Sequence, residues 1–311
     1  MKKWILRSST LVVLIAVIFI GIRPESLVGK PSIQSSAALL MDASSGEVIV
    51  NSNGDHPLPA ASLSKLMNQL IILDEIDSKH ISWNDSVKVS KHAIDSEGIK
   101  VSLNENDQFT VNELFKVISV YSANDATIAL AEHTFGTEER FVEEMNIKAK
   151  DIGLSVHTKY NNATGSSSLS GGPSENYMTA NDVGKLSAYL IQKHPEILKL
   201  SSQPQAELRN KGLYMSNTNW MLDKVKGPYA YGGADGLRTG YTEEAGYCLS
   251  GTVQKNGQRL IAIVMGAETK EQRFEEAKQL FNYGYAHSYS AKEWGSAWAS
   301  TWLQVIQRPS I

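Results

Sequence analysis

Cysteine is almost absent from this 311-residue chain, which contains only Cys248. An intrachain disulfide is therefore excluded, and a single cysteine in an apolar run is most often a small buried hydrophobe. The seven histidines are scattered, without the His-x-His or His-x-x-x-His spacing typical of zinc sites. The sequence predicts no metal and no cofactor.

The chain also lacks an excess of positive charge. Its formal net charge is -3, so no basic field favours nucleic acid as a partner. Apolar residues make up 42% of the chain and charged residues 20%, which is ordinary for a globular protein and excludes disorder for most of its length.

The N-terminus combines positive charge with a short apolar run. Lys2, Lys3 and Arg7 precede an uncharged stretch from Ser8 to Ile22, the pattern of a secretory signal or a signal anchor. The run is shorter than the ~20 residues of a typical span. No small-x-small cleavage site directly follows it, which favours an uncleaved membrane anchor at 1–22 over a removed signal. Either alternative places the rest of the chain outside the cytoplasm.

Hydrophobic periodicity predicts strands near both ends of the chain and helices between them. The predicted strands are Ala37–Met41, Glu47–Asn51, Leu237–Tyr241, Tyr247–Val253 and Leu260–Met265. The predicted helices are Leu63–Leu73, Val111–Val120 (opened by a capping box at Thr110), Ala126–His133 (capped by Asn124 or Asp125), Phe141–Ile152, Ala180–Lys193 and Glu271–Tyr283. Turn signals lie at Gly46 and at Asn256-Gly257.

This order predicts an α/β (α+β) fold with one antiparallel sheet built from both chain ends. A helical lobe, roughly 66–205, would be inserted into the sheet lobe of a domain at 36–285, with a linker at 23–35. The active site would lie at the seam between the lobes. In the tail at 286–311, Trp294, Trp298 and Trp302 share one helical face. That face would pack on the core or contact a membrane interface.

The first candidate chemical motif is Ser62-Leu63-Ser64-Lys65. Residues three apart share a helix face, so Lys65 would reach the Ser62 hydroxyl. A serine becomes a good nucleophile when a base takes its proton, and a lysine serves as that base when burial or a nearby cation lowers its pKa. Taken alone, the pattern equally describes a cap serine followed by a surface lysine.

Two further segments carry polar groups suited to the same cleft. Ser122 and Asn124 lie two apart between helical patterns, where Ser122 would relay a proton and Asn124 would hold a peptide carbonyl. Arg238, Thr239 and Gly240 follow on a strand, where a cation and a hydroxyl would grip a carboxylate and glycine would let a substrate backbone lie close. Each segment alone also fits an ordinary turn or strand.

The ordered set of Ser-x-x-Lys, Ser-x-Asn and cation-Thr-Gly is the signature of penicillin-binding proteins and class A β-lactamases. The chain resembles the low-molecular-mass penicillin-binding proteins, the serine D-alanyl-D-alanine carboxypeptidase family, over roughly residues 36–285. The resemblance extends to segments outside the motifs: 37–46, 58–67, 161–165, 177–182, 217–219 and 236–248.

The resemblance implies the transpeptidase fold shared with β-lactamases and a set of roles. Ser62 would be acylated by a peptidoglycan pentapeptide ending in D-Ala-D-Ala, or by β-lactam antibiotics, with Lys65 as base. The backbone N–H groups of Ser62 and Tyr241 would form the oxyanion hole. The family usually has lysine at Arg238, and an arginine there keeps a carboxylate-binding role but cannot shuttle protons.

Several alternatives remain open from the sequence. A D,D-endopeptidase or a β-lactamase would share the fold and the Ser62–Lys65 pair, although no glutamate is assignable as a β-lactamase deacylation base. A zinc D,D-peptidase lacks support from histidine spacing. A catalytically weakened penicillin-binding scaffold is disfavoured by the intact Ser62, Lys65, Ser122 and Asn124.

Overall fold

Eleven strands lie in the residues that the computed structural model describes, which are 29–105, 107–166 and 175–287. In chain order they are β1 (Ala37–Asp42), β2 (Val48–Ser52), β3 (Leu58–Pro59), β4 (Ser86–Lys88), β5 (Gln108–Thr110), β6 (Tyr177–Met178), β7 (Gln205–Leu208), β8 (Leu213–Ser216), β9 (Ala234–Thr242), β10 (Gly246–Lys255) and β11 (Gln258–Ala267).

Five of these strands form the central antiparallel sheet, in the order β2-β1-β11-β10-β9. Two come from the N-terminal part of the chain and three from the C-terminal part, which confirms the predicted sheet built from both ends. Every residue of β1 is buried, because the strand has a neighbour on each side and both faces are covered.

Helices occupy the middle of the chain, as predicted. They are α1 (Lys65–Asp77), α2 (Lys91–Asp95), α3 (Val111–Tyr121), α4 (Asn124–Phe135), α5 (Glu138–Asp151), α6 (Ala180–Lys193) and α7 (Ile197–Ser201). The five longer helices have bounds within a few residues of those expected, whereas α2 and α7, with five residues each, were not predicted. Residues 272–287 are also helical. The short strand pairs β3–β6, β4–β5 and β7–β8 were not predicted, because two to four residues are too few to show a period.

The predicted turns have the expected backbone. Gly46 has a φ of +74° between β1 and β2. Asn256 and Gly257 have φ values of +51° and +76°, and two consecutive positive values are what a tight turn between β10 and β11 requires.

The start of α4 corrects one expectation. Asn124 and Asp125 were predicted to cap this helix, but its N-cap is Ala123 and has no side-chain cap. The Asp125 carboxylate instead accepts the backbone N–H groups of Val101 and Leu103, which fastens a neighbouring loop to the helix. The Asn124 side chain is likewise used in a tertiary contact rather than a local one.

Residues 33–280 form one compact unit. The two chain ends are grouped in a second unit, of which the structure describes 29–32 and 281–287. In the described part of the chain, no helix is both long and apolar enough to cross a membrane. The predicted anchor at 1–22 and the stripe of Trp294, Trp298 and Trp302 lie outside the described residues.

We expect the capping box of α3 to contribute measurably to stability. The Thr110 hydroxyl accepts the Glu113 N–H at 3.2 Å, and the Glu113 carboxylate accepts the Thr110 N–H at 2.8 Å. Thr110→Ala should lower the free energy of unfolding by about 0.5–2 kcal/mol in urea denaturation. Thr110→Ser keeps the acceptor and should stay near wild type. Equal stability of Thr110→Ala and wild type would contradict the role of the cap.

Candidate active site

The predicted nucleophile lies in a tight turn that leads directly into a buried helix. Ser62 is the second residue of the 3₁₀ turn Ala61–Ser64, and α1 begins at Lys65. Ala61 has a φ of +46°, a conformation that residues other than glycine rarely adopt. Ser62 is partly exposed, whereas the other residues of the turn are buried. The fold therefore leaves Ser62 accessible at the start of an otherwise buried segment.

Lys65 is fully buried and makes three short contacts. Its Nζ donates to Ser62 Oγ at 2.9 Å, to Asn124 Oδ1 at 2.8 Å and to the carbonyl of Thr164 at 2.6 Å. Burial lowers the pKa of Lys65 well below its usual range, and the positive charge of Arg238 lowers this pKa further. In its neutral form Nζ has two N–H bonds, which Asn124 Oδ1 and the Thr164 carbonyl can accept, and its lone pair is then placed to take the Ser62 hydroxyl proton at 2.9 Å.

A loop presses against the nucleophile turn and supplies one of those acceptors. Asn162 Oδ1 accepts the N–H groups of Thr164 and Gly165 at 3.1 and 2.7 Å. A Cβ at Gly165, where φ is +74°, would lie 1.9 Å from the Ala61 carbonyl oxygen. Only glycine permits this approach. No role was predicted for Thr164 and Gly165. The segment 161–165, which begins with two asparagines and ends in glycine, could have indicated a tight loop at this place.

Asn124 joins Lys65 to two other segments. While its Oδ1 accepts from Lys65, its Nδ2 donates to the Glu97 carbonyl at 2.5 Å and to Ser166 Oγ at 2.7 Å. These three bonds fix which way the amide faces. Asn124 therefore orients the amine of Lys65.

Ser122 occupies a strained position at the end of α3. It is the C-cap residue, with a left-handed φ of +72°, and its N–H donates to the Val117 and Ile118 carbonyls at 3.1 Å. Its hydroxyl is buried and, within the described residues, has no hydrogen-bond partner. An unpartnered buried hydroxyl is costly, and such groups are retained where they act on a ligand.

Strand β9 runs beside the nucleophile turn. A Cβ at Gly240 would lie 3.1 Å from the Ser62 backbone nitrogen, so any larger residue would crowd the nucleophile turn. Thr239 Oγ1 donates to Thr218 Oγ1 at 2.7 Å, which adds a hydroxyl that sequence reasoning left without a role. The Tyr241 amide follows directly after Gly240. The oxyanion hole of Ser62 and Tyr241 N–H groups stays a prediction.

Arg238 differs from its predicted role. Its side chain is 2% exposed, and its guanidinium donates to the Ile118 carbonyl at 2.5 Å and to Gln69 Oε1 at 3.0 Å. Burial lowers the pKa of Arg238 to about 9, which leaves it charged at neutral pH. Because the guanidinium lies beneath the surface with two terminal nitrogens engaged, its placement does not favour the direct grip on a carboxylate that we predicted.

The structure thus brings Ser62, Lys65 and Asn124 into direct contact and sets Gly240 against the nucleophile turn. Among the described residues, no three His, Cys, Asp or Glu side chains cluster in a way that would hold a metal ion. The arrangement is a serine with a buried amine base.

Comparisons with known proteins agree with this geometry. The family model of the D-alanyl-D-alanine carboxypeptidases, peptidase family S11, matches residues 25–269. The D-alanyl-D-alanine carboxypeptidase DacF of Bacillus subtilis is 33% identical over 256 residues, which cover 81% of this chain and 62% of DacF. The chain therefore spans less than two thirds of the length of that relative.

Solved structures show the same fold. Penicillin-binding protein D2 from Listeria monocytogenes, in its ampicillin-bound form, is 32% identical with a TM-score of 0.73, covering 83% of this chain and 99% of that one. Penicillin-binding protein 5 from Haemophilus influenzae is 31% identical with a TM-score of 0.75, covering 83% and 72%. These likenesses confirm the predicted transpeptidase fold.

The match over most of the chain and the Ser62–Lys65 contact lead to one conclusion: the chain belongs to the D-alanyl-D-alanine carboxypeptidase family of penicillin-binding proteins.

Proposed function

We propose that this protein is a serine D-alanyl-D-alanine carboxypeptidase that removes the terminal D-Ala from peptidoglycan stem peptides through an acyl-enzyme on Ser62. The observation that carries the proposal is the fully buried Lys65 Nζ at 2.9 Å from Ser62 Oγ. Family membership supports the substrate class.

Acylation begins with proton transfer from the Ser62 hydroxyl to the neutral Nζ of Lys65. The Ser62 oxygen then bonds to the carbonyl carbon of the penultimate D-Ala, and the N–H groups of Ser62 and Tyr241 stabilise the oxyanion. Loss of one such donor typically costs ~10²–10³ in rate. Collapse breaks the peptide bond, and the leaving amine of D-Ala takes the proton from Lys65, with Ser122 as relay.

Deacylation uses water in the same sequence. Lys65 takes a proton from water, the hydroxide adds to the ester carbon, and Ser62 leaves with its proton restored. We assign the terminal carboxylate to Thr239 and Gly240. The Thr239 and Thr218 hydroxyls share one hydrogen bond, so one of the two keeps its own proton free to donate to the carboxylate. In this mechanism, the substrate carboxylate is bound by the strand rather than by the Arg238 side chain.

The nucleophile is tested by labelling the full chain with a fluorescent penicillin. Wild type should form a covalent adduct, and Ser62→Ala should form none, because Ser62 supplies the only hydroxyl that contacts Lys65 Nζ among the described residues. Ser44→Ala, a serine in the β1–β2 turn, is the matched control and should label like wild type. Labelling of Ser62→Ala would refute the mechanism.

The lifetime of that adduct separates two enzymes that share this fold. A carboxypeptidase should keep the penicilloyl group for minutes to hours, whereas a β-lactamase should release it rapidly. Release of D-Ala from a pentapeptide, with a crosslinked peptide unchanged, would distinguish the carboxypeptidase from an endopeptidase. Rapid hydrolysis of penicillin without release of D-Ala would overturn the proposal.

Lys65 should control how acylation depends on pH. Its pKa lies well below the usual value, so the acylation rate should rise with pH through that lowered pKa and level off above it. Lys65→Arg keeps a long basic side chain but removes the base, because a guanidinium does not release its proton, and should slow acylation ~10²–10⁴-fold.

The exposed Lys185 provides the control for this substitution. Lys185→Arg should acylate at the wild-type rate, since Lys185 lies away from Ser62 and donates to the Gly153 carbonyl. A wild-type rate in Lys65→Arg would assign the base to another group.

We infer in addition that residues 1–22 tether the enzyme to the membrane with its catalytic domain outside the cytoplasm. The support is the sequence: Lys2, Lys3 and Arg7 before an apolar run, and a substrate found in the cell wall. In a bacterium producing the full chain, the protein should remain in the membrane pellet after alkaline washing. Protease added to spheroplasts should degrade it. Recovery from the medium would indicate a cleaved signal, and recovery from the cytosol would contradict export.

A further inference from the structure

Arg238 is held in place by a neutral network that links three elements. Gln69 lies four residues after Lys65, on the same face of α1, and is 2% exposed. Its Oε1 accepts from Arg238 Nη2 at 3.0 Å, while its Nε2 donates to Ser119 Oγ at 2.8 Å. Ser119 in turn donates to the Phe115 carbonyl at 2.8 Å. Each polar atom of the Gln69 amide therefore has a partner.

None of these partners carries a negative charge that would neutralise the guanidinium. Its acceptors are an amide oxygen and the Ile118 carbonyl, and its Nε has no partner among the described residues. A buried cation is normally paired with a carboxylate. Within the described part of the chain, no carboxylate is paired with Arg238, and its charge acts on Lys65.

We propose that Gln69 is a positioning residue of this active site, which holds the Arg238 guanidinium beneath Lys65 as a fixed, uncompensated charge and away from the cleft surface. The inference rests on the proposed function, because it requires Lys65 to be the base. A positive charge beside the amine disfavours its protonated form and so favours proton transfer from Ser62.

The charged groups on the elements packed around Lys65 have partners elsewhere. Asp125 on α4 accepts backbone N–H groups, Glu138 on α5 binds the Ala163 N–H and His92, and Asp182 on α6 binds Ser155 and Thr158. Asp74 on α1 binds Lys148, Lys193 and His194. Glu113 on α3 binds Thr110. Arg273 donates to the Gly240 and Cys248 carbonyls. The charge that acts on Lys65 is that of Arg238, in addition to burial.

Gln69→Glu tests this arrangement, because glutamate has nearly the same shape and keeps an acceptor for Arg238 but neutralises its charge. The proton should bind Lys65 more tightly, so the acid limb of the acylation pH profile should move up by about one pH unit or more. On that limb, at a fixed pH below the plateau, acylation should fall about tenfold for each unit of the shift. Thermal unfolding is measured alongside, because the substitution also removes the Nε2 donor to Ser119 Oγ, and rates are compared only in folded protein.

Gln192→Glu is the matched control, since it adds the same charge at an exposed position of α6 and should leave the limb unchanged. A carboxylate at position 69 also acts on Lys65 directly, so Gln69→Met, which frees Arg238 without adding a charge, gives the separate test of positioning, and its limb should also move up. An unshifted limb in folded Gln69→Met or Gln69→Glu would overturn the inference. If Gln69→Glu does not fold, Arg238→Met decides, because removing the cation must shift the limb in the same direction. An unshifted limb in Arg238→Met would likewise overturn it.

These outcomes are separable from failure of the proposed function. An unshifted limb with normal labelling at Ser62 would refute the role of Gln69 and leave the carboxypeptidase proposal intact. Absence of any adduct in wild type would refute the function itself, and with it the inference.

Discussion

The contact between Lys65 Nζ and Ser62 Oγ is the interaction on which the proposed chemistry depends. A lysine in water holds its proton too tightly to act as a base at neutral pH. Complete burial removes the water that stabilises the ammonium, and the nearby Arg238 disfavours it further. The helical lobe and the sheet together exclude solvent from this amine while leaving Ser62 partly exposed.

Strained backbone conformations are concentrated around the contact between Lys65 and Ser62. Ala61 and Ser122 both have positive φ, and Gly165 fits only because it lacks a Cβ. Such conformations cost about 1–3 kcal/mol each in residues other than glycine, and they persist where the surrounding structure fixes them. Here the surroundings are the buried helices α1, α3 and α4 and the asparagine bonds of the loop at 161–166. Ser62 directly follows the strained Ala61, and the strained Ser122 carries a buried hydroxyl without a partner among the described residues.

Arg238 illustrates how burial changes the meaning of a motif. In sequence, a cation before Thr239 and Gly240 suggests a group that grips a substrate carboxylate. In the structure, the guanidinium extends below the strand and meets Ile118 and Gln69. Its effect on the site is therefore electrostatic and passes through Lys65. Thr239, joined to Thr218, is the hydroxyl next to Arg238 on the same strand.

Much of the fold was predictable because periodicity and turn chemistry are local. The strands near both chain ends, the capping box at Thr110 and the turn at Asn256-Gly257 all have the expected form. The short strand pairs were missed, because they form only where tertiary packing brings two brief segments together. The expected capping by Asn124 and Asp125 was wrong for a related reason, since both side chains have stronger tertiary partners.

The sequence by itself determined the ordered motifs around Ser62, Ser122 and Thr239, the sheet built from both chain ends and the family. Only the tertiary structure decided what the site does with them. The decisive contacts join segments about 100 or more residues apart. They are the contacts that bury Lys65, the approach of Thr164 and Gly165, and the hydrogen bond between Gln69 and Arg238. Desolvation and electrostatic interactions depend on the distances between groups in the folded chain, and the sequence pattern does not specify those distances.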